Sequence, residues 1–232
     1  MKLNEIVQTE IEIIEKFLSN HNISNYTIRN DGKVDIDGNV NLEFYHLLEL
    51  PIEFGHVTGN FWCSNNNLKS LDGSPDIVDG DFYCVACHDL KSLEGGPKIV
   101  KGNYTITSCH GLKSLKGCPE EIGGKFKIEN CSSLPSLNYG PKSVGGSYDC
   151  YHCLAVTNID GLAKQINGEL LIREIPKLKK YLKIFNTKGI TRVELTNKKL
   201  QAIINKYLPK RDMLNCQDEL IEAGFEEYAE IE

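Results

Sequence analysis

Tryptophan occurs once in the 232 residues, at Trp62, methionine twice, and aromatic residues amount to 8% of the chain. Long apolar runs are missing too. With no stretch of 18 apolar residues, a membrane-spanning helix is excluded on length. The segment Met1 to Glu15 is acidic and lacks the basic start and apolar centre of a secretory leader, so a cytoplasmic protein is expected. No glycine-rich phosphate loop, His-Glu-x-x-His pair or nucleophile elbow is present, which removes the common signatures of phosphoryl transfer, zinc proteolysis and serine hydrolysis. The histidines (His21, His46, His56, His88, His110 and His152) are scattered, and His88 and His110 are expected to stack as exposed turn residues. Catalysis has poor support, and no cofactor is expected.

What is present is an ordinary globular composition, 41% hydrophobic and 25% charged, with a net charge of −6 that is unevenly spread. Residues 1–56 carry −6 and residues 57–168 carry −1; residues 169–211 carry +9 and residues 212–232 carry −8. A basic block beside an acidic tail fits a nucleic-acid patch. The plainer and preferred reading is two solvated helices of opposite charge packed side by side.

Nine cysteines without a secretion signal argue against a disulfide framework, because the cytosol keeps thiols reduced. Two Cys-x-x-Cys pairs, Cys84/Cys87 and Cys150/Cys153, raise metal or haem binding, the first continuing into His88. A repeat explains them better. Val57-Thr-Gly-Asn-Phe61, Val78-Asp-Gly-Asp-Phe82, Val100-Lys-Gly-Asn-Tyr104, Ile122-Gly-Gly-Lys-Phe126 and Val144-Gly-Gly-Ser-Tyr148 are variants of one unit, their aromatics 21, 22, 22 and 22 residues apart. Each is followed by Leu-x-Ser-Leu or a relative, then Gly and Pro. Extension by the same step reaches Val40 and Leu170, giving about seven units over residues 34–186.

Within a unit the pattern is aromatic, x, apolar, x, x, Cys or Asn, then Leu, as in Tyr104, Ile106, Cys109, Leu112 and Leu115. Cys87, Cys109, Cys131 and Cys153 fall at steps of 22, and Asn66 takes the same place one unit earlier. These five are expected to form a structural ladder, each supplying partners to backbone groups buried in its turn. Cys63, Cys84 and Cys150 share the inward strand position of Ile106 and Ile128 and read as core. Stacked strands rise about 4.8 Å each. The two Cys-x-x-Cys pairs then lie roughly 14 Å apart, too far to share a zinc with Zn–S bonds of about 2.3 Å. The returns are too short for full helices, so turns, 3₁₀ pieces or extended segments are expected there.

Both ends of such a solenoid need covering. At residues 1–33, Ile6, Val7, Ile11, Ile14, Phe17 and Leu18 recur at helical spacing, and a hairpin follows around Asn30-Asp-Gly32. At residues 187–232, Thr196 is placed to cap a helix bearing Leu200, Ile203, Ile204, Tyr207 and Leu208, with Pro209 ending it. A second helix runs from about Asp212 to Ala223 and stops at Gly224.

The strand anchors, the Leu-x-Ser-Leu-x-Gly-x-Pro returns and the Val-x-Gly starts together resemble the leucine-rich-repeat-like proteins of tailed bacteriophages. Val34-Asp-Ile-Asp-Gly-Asn-Val40-Asn-Leu42, running to Leu50-Pro-Ile-Glu-Phe54, is similar to the first coil of that group, and Ile204-Asn-Lys-Tyr-Leu208 with Glu219-Leu-Ile-Glu-Ala-Gly-Phe225 to its helical ending. The resemblance spans nearly the whole chain. It implies a leucine-rich-repeat-like solenoid with a parallel sheet and helical caps, in the cytoplasm of an infected bacterium. Phe44, Tyr45 and His46 depart from the group, standing where small polar residues are usual.

With inward positions committed to the core, function falls to the outward strand positions, a row of side chains on a rigid sheet. Trp62, Tyr83, Lys127, Asp149, Tyr151, His152 and Arg173 are the candidate contacts, Trp and Tyr being the expected anchors. The expected activity is non-catalytic binding of a bacterial host or antiviral-defence protein through the concave strand face. The alternatives are nucleic-acid binding through Lys177, Lys179, Lys180, Lys183, Lys188, Arg192, Lys198 and Lys199, which the acidic remainder of the chain would oppose, and sequestration of a small nucleotide between the cap helices and the last coil.

Overall fold

The computed structural model describes residues 3–230, with side chains from residue 8 onward. The chain winds as a β-solenoid of about seven turns. One sheet, here the front sheet, has eight parallel strands in sequence order: Val40–Asn41, Phe61–Trp62, Phe82–Val85, Tyr104–Thr107, Phe126–Glu129, Tyr148–Tyr151, Glu169–Arg173 and Arg192–Leu195. The last of these lies beyond residue 186, where the repeat pattern had faded; Val193 and Leu195 still fill the inward positions beside Leu170 and Ile172.

The return side takes the extended form among those expected, and its extended segments pair with one another. Phe54–Val57, Ile77–Val78, Ile99–Val100, Glu121–Ile122, Ser143–Val144 and Gln165–Ile166 form a second parallel sheet, the back sheet, and the hairpin Tyr26–Ile28 with Val34–Ile36 starts it. The Val or Ile of each Val-x-Gly start is thus a buried strand residue facing the core. The glycine after it lets neighbouring coils close up: a Cβ on Gly80 would sit 2.3 Å from Asn60 Oδ1. That oxygen is busy. Asn39, Asn60, Asp81 and Asn103 each accept the main-chain N–H of the residue one coil later, at 2.8, 2.7, 2.6 and 2.7 Å.

Between the sheets, Phe54, Phe61, Phe82, Tyr104, Phe126 and Tyr148 form a continuous buried aromatic column; Phe61 and Phe82 stack at 5.7 Å, Phe82 and Tyr104 at 5.1 Å. The expected ladder runs beside it. Asn66 Nδ2 donates to the carbonyls of Leu42 (2.7 Å) and Cys63 (3.1 Å), and its Oδ1 accepts the Leu47 N–H (3.0 Å). The thiols of Cys87, Cys109, Cys131 and Cys153 each donate to the inward residue of the previous coil, the carbonyls of Cys63, Cys84, Ile106 and Ile128, at 3.4–3.9 Å. Hydrogen bonding to a neighbouring ladder thiol, with burial behind it, pushes the Cys84 and Cys150 thiols well above the ordinary range. All nine cysteines are free, and among the described residues no three or more His, Cys, Asp or Glu side chains group to hold a metal ion.

One device escaped the sequence reading. The residue before each ladder position is left-handed, Asn65, Ala86, Ser108, Asn130 and His152, as are Phe44 and Glu174 at the equivalent places one coil before and one coil after; all seven have φ between 52° and 64°. Away from glycine this conformation costs about 1–2 kcal/mol, and asparagine tolerates it best. The kink turns the chain out of the front sheet while its N–H still reaches the next coil, as Ala86 N–H does to Thr107 O at 2.8 Å.

At the first end α1 (Leu3–Asn20) lays Ile14, Phe17 and Leu18 over the core, Phe17 meeting Phe54 edge-on at 6.5 Å. The Ile6 and Val7 side chains lie outside the described residues. At the other end α2 (Lys198–Tyr207) starts one residue later than expected. Asn197, not Thr196, is the cap, its side chain accepting the N–H groups of Lys199 and Leu200. Asn205 on α2 seals the last front strand, accepting Val193 N–H at 2.9 Å and donating to Val193 O at 2.7 Å. The helix α3 (Met213–Glu222), capped by Asp212, packs Cys216 and Leu220 inward. No helix among the described residues is long and apolar enough to cross a membrane.

Candidate functional site: the outward face of the front sheet

Strand register places the outward residues in two rows. One runs Asn41, Trp62, Tyr83, Thr105, Lys127, Asp149 and Leu171; the other runs Val85, Thr107, Glu129, Tyr151 and Arg173. The two halves of this face differ. In the first, the half-buried rings of Trp62 and Tyr83 lie parallel, 5.9 Å apart and 5° from coplanar. The Tyr83 hydroxyl donates to Asp81 Oδ2 at 2.7 Å. That hydrogen bond, with burial second, raises the Tyr83 phenol to about 12. The bond tethers Tyr83, and Trp62 stacks on the tethered ring.

The second half is an ion network. Asp149 was expected as a contact, but it is 2% exposed beneath Lys125, at 2.8 Å, and Arg173, at 3.0 Å. Two cations close over one carboxylate because stacking brings residues 24 apart side by side. Arg173 is fixed further by Glu194 at 3.9 Å and lies 5.4 Å from the Tyr151 ring centre, while Lys127 pairs with Glu129. His152 leaves the row altogether: its left-handed backbone turns it off the strand toward Glu174, 3.7 Å away. Trp62, Tyr83, Lys127, Tyr151 and Arg173 thus share the face, whereas Asp149 supports it from beneath and His152 lies beyond its edge.

The departure at Phe44 has a structural counterpart. Its N–H donates to Ser64 O at 3.3 Å and the residue is 66% exposed; like His152, it sits at the left-handed position where the chain leaves the front sheet. Tyr45 rests on His21, ring centres 4.3 Å apart. His88 and His110 stack at 5.0 Å on the exposed turns.

The basic block is largely neutralised within the fold. Lys179 meets Glu227, Lys180 meets Glu230, Lys183 meets Asp160, Lys198 meets Glu194, and Arg192 meets both Glu169 and Glu194. Phosphate would have to displace these carboxylates. A cleft of about 430 Å³ does open between the last coil and the terminal helices, where a nucleotide was one expectation. Among the described residues, Glu174 is the one side chain of fixed charge lining it, which is the wrong sign for phosphate.

The architecture places the chain among leucine-rich-repeat-like solenoids, with two parallel sheets and helical ends. Compared with known protein families, curated proteins and solved structures, the chain matches none.

Proposed function

We propose that this solenoid is a non-catalytic protein-binding module, and that it serves a bacteriophage by binding a bacterial host or antiviral-defence protein in the cytoplasm and inhibiting it by occlusion. The observation that carries the reading is the Trp62–Tyr83 pair, two parallel, half-buried rings on the free face of a rigid sheet. Trp and Tyr are the side chains most enriched at interface hot spots, and a preorganised pair loses little freedom on binding. The charged half of the face supplies a polar rim. The bacteriophage assignment rests on the resemblance of the repeat and end motifs.

The test is capture from bacterial lysate by the tagged chain, run beside Trp62→Ala/Tyr83→Ala with circular dichroism confirming the fold. A specific protein held by the native chain should lose at least about 2 kcal/mol of binding in the double variant, roughly thirtyfold in affinity. Undiminished capture by the variant overturns the face, and no captured protein in either sample overturns the protein-binding reading.

A further inference from the structure

We propose that the cleft between the last coil and the terminal helices binds a small organic cation with an apolar body, independently of the strand face. Its floor is Leu154, Ile175, Leu178 and Leu200, and its volume of about 430 Å³ falls in the range of small-ligand pockets.

Two of its residues break the repeat. The position after the ladder residue holds Asn67, His88, His110 and Ser132 in four successive coils, then Leu154 and Pro176. Leu154 is 39% exposed, so core packing does not explain the change from polar to apolar. The substitution lines the cleft instead.

The sign of the ligand follows from the mouth. Among the described residues, Glu174 is the one lining side chain of fixed charge, and its carboxylate is 52% exposed. Its partners are neutral or titratable: the Tyr151 hydroxyl and the His152 imidazole, the latter at 3.7 Å. Nearby cations are drawn elsewhere, Lys179 to Glu227 and Lys180 to Glu230. Tyr181 and Tyr228, which also line the cleft, meet edge to face at 5.7 Å, and aromatic faces attract cations. A carboxylate at an apolar, aromatic slot recognises an alkyl- or arylalkyl-ammonium ion.

The probe is 2-phenylethylammonium, titrated into the full chain at neutral pH and followed through the ¹³C-methyl resonances of Leu154, Ile175 and Leu178. Saturable shifts at these methyls are expected. Glu174→Gln should weaken binding by about tenfold, and the anionic isostere 3-phenylpropionate should bind correspondingly worse than the amine. Trp62→Ala/Tyr83→Ala should leave the titration unchanged, which separates this site from the strand face. Absent saturation, equal binding of cation and anion, or an unaltered affinity in Glu174→Gln each overturns the proposal.

Discussion

Tyr83 and Tyr104 stand on neighbouring strands and face opposite ways. Tyr104 points into the aromatic column, fully buried, and its hydroxyl has no hydrogen-bond partner among the described residues. Tyr83 points outward, half-buried, and its hydroxyl is held by Asp81. Inward positions of this solenoid repeat one answer, coil after coil, because each ring must stack on the rings above and below. Outward positions do not repeat: the same row reads Asn41, Trp62, Tyr83, Thr105, Lys127 and Asp149. Variation where packing imposes no requirement is where selection for binding can act.

The sharpest way to break this contrast is inside, at the ladder. Asn66→Ala leaves the Leu47 N–H and the Leu42 and Cys63 carbonyls without their side-chain partner and should cost about 3 kcal/mol in urea unfolding. Cys109→Ala removes only weak, long S–H contacts and a small apolar volume, for about 1 kcal/mol. Equal losses would show that the rungs serve as filler and not as backbone partners.

Next in size is Tyr104→Phe. Phe occupies the same position at Phe61, Phe82 and Phe126, and the change deletes a buried hydroxyl that gains nothing in return. Stability should rise by about 1 kcal/mol, seen as a few degrees in Tm. A fall in Tm would mean that the hydroxyl is satisfied after all.

The smallest effect belongs to the outer tyrosine. Its phenol sits at about 12 in the fold against 10.0 unperturbed, raised by the bond to Asp81. The folded state therefore holds this proton more tightly than the unfolded chain. The stabilisation is whole below about pH 10 and is lost as pH rises toward about 12. Ultraviolet titration of the native chain against Tyr83→Phe isolates the group; a phenol titrating near 10 would dissolve the tether.

The parts legible in the sequence were those with a period. Steps of 21 or 22 residues located the strands, the aromatic anchors and the five ladder residues, because stacking demands a similar side chain at the same place in every coil. The left-handed residue before each rung left only a faint trace, asparagine at Asn65 and Asn130, since Phe44, Ala86, Ser108, His152 and Glu174 adopt it without a common side chain. Trp62 and Tyr83 were placed correctly as outward neighbours; that Tyr83 is tethered required seeing Asp81 swing to it.

From sequence alone came the coil, its period, its inward rows and the need for helical ends, all of them consequences of side-chain size and polarity repeated at fixed spacing. Tertiary structure alone decided the second sheet, the eighth front strand, the burial of Asp149 under Lys125 and Arg173, the pairing of the basic block and the cleft beside Glu174. The physical reason is reach. Periodicity records what each residue must be to fit its own coil, whereas ion pairs and clefts depend on which side chains from other coils and from the terminal helices arrive at the same point in space.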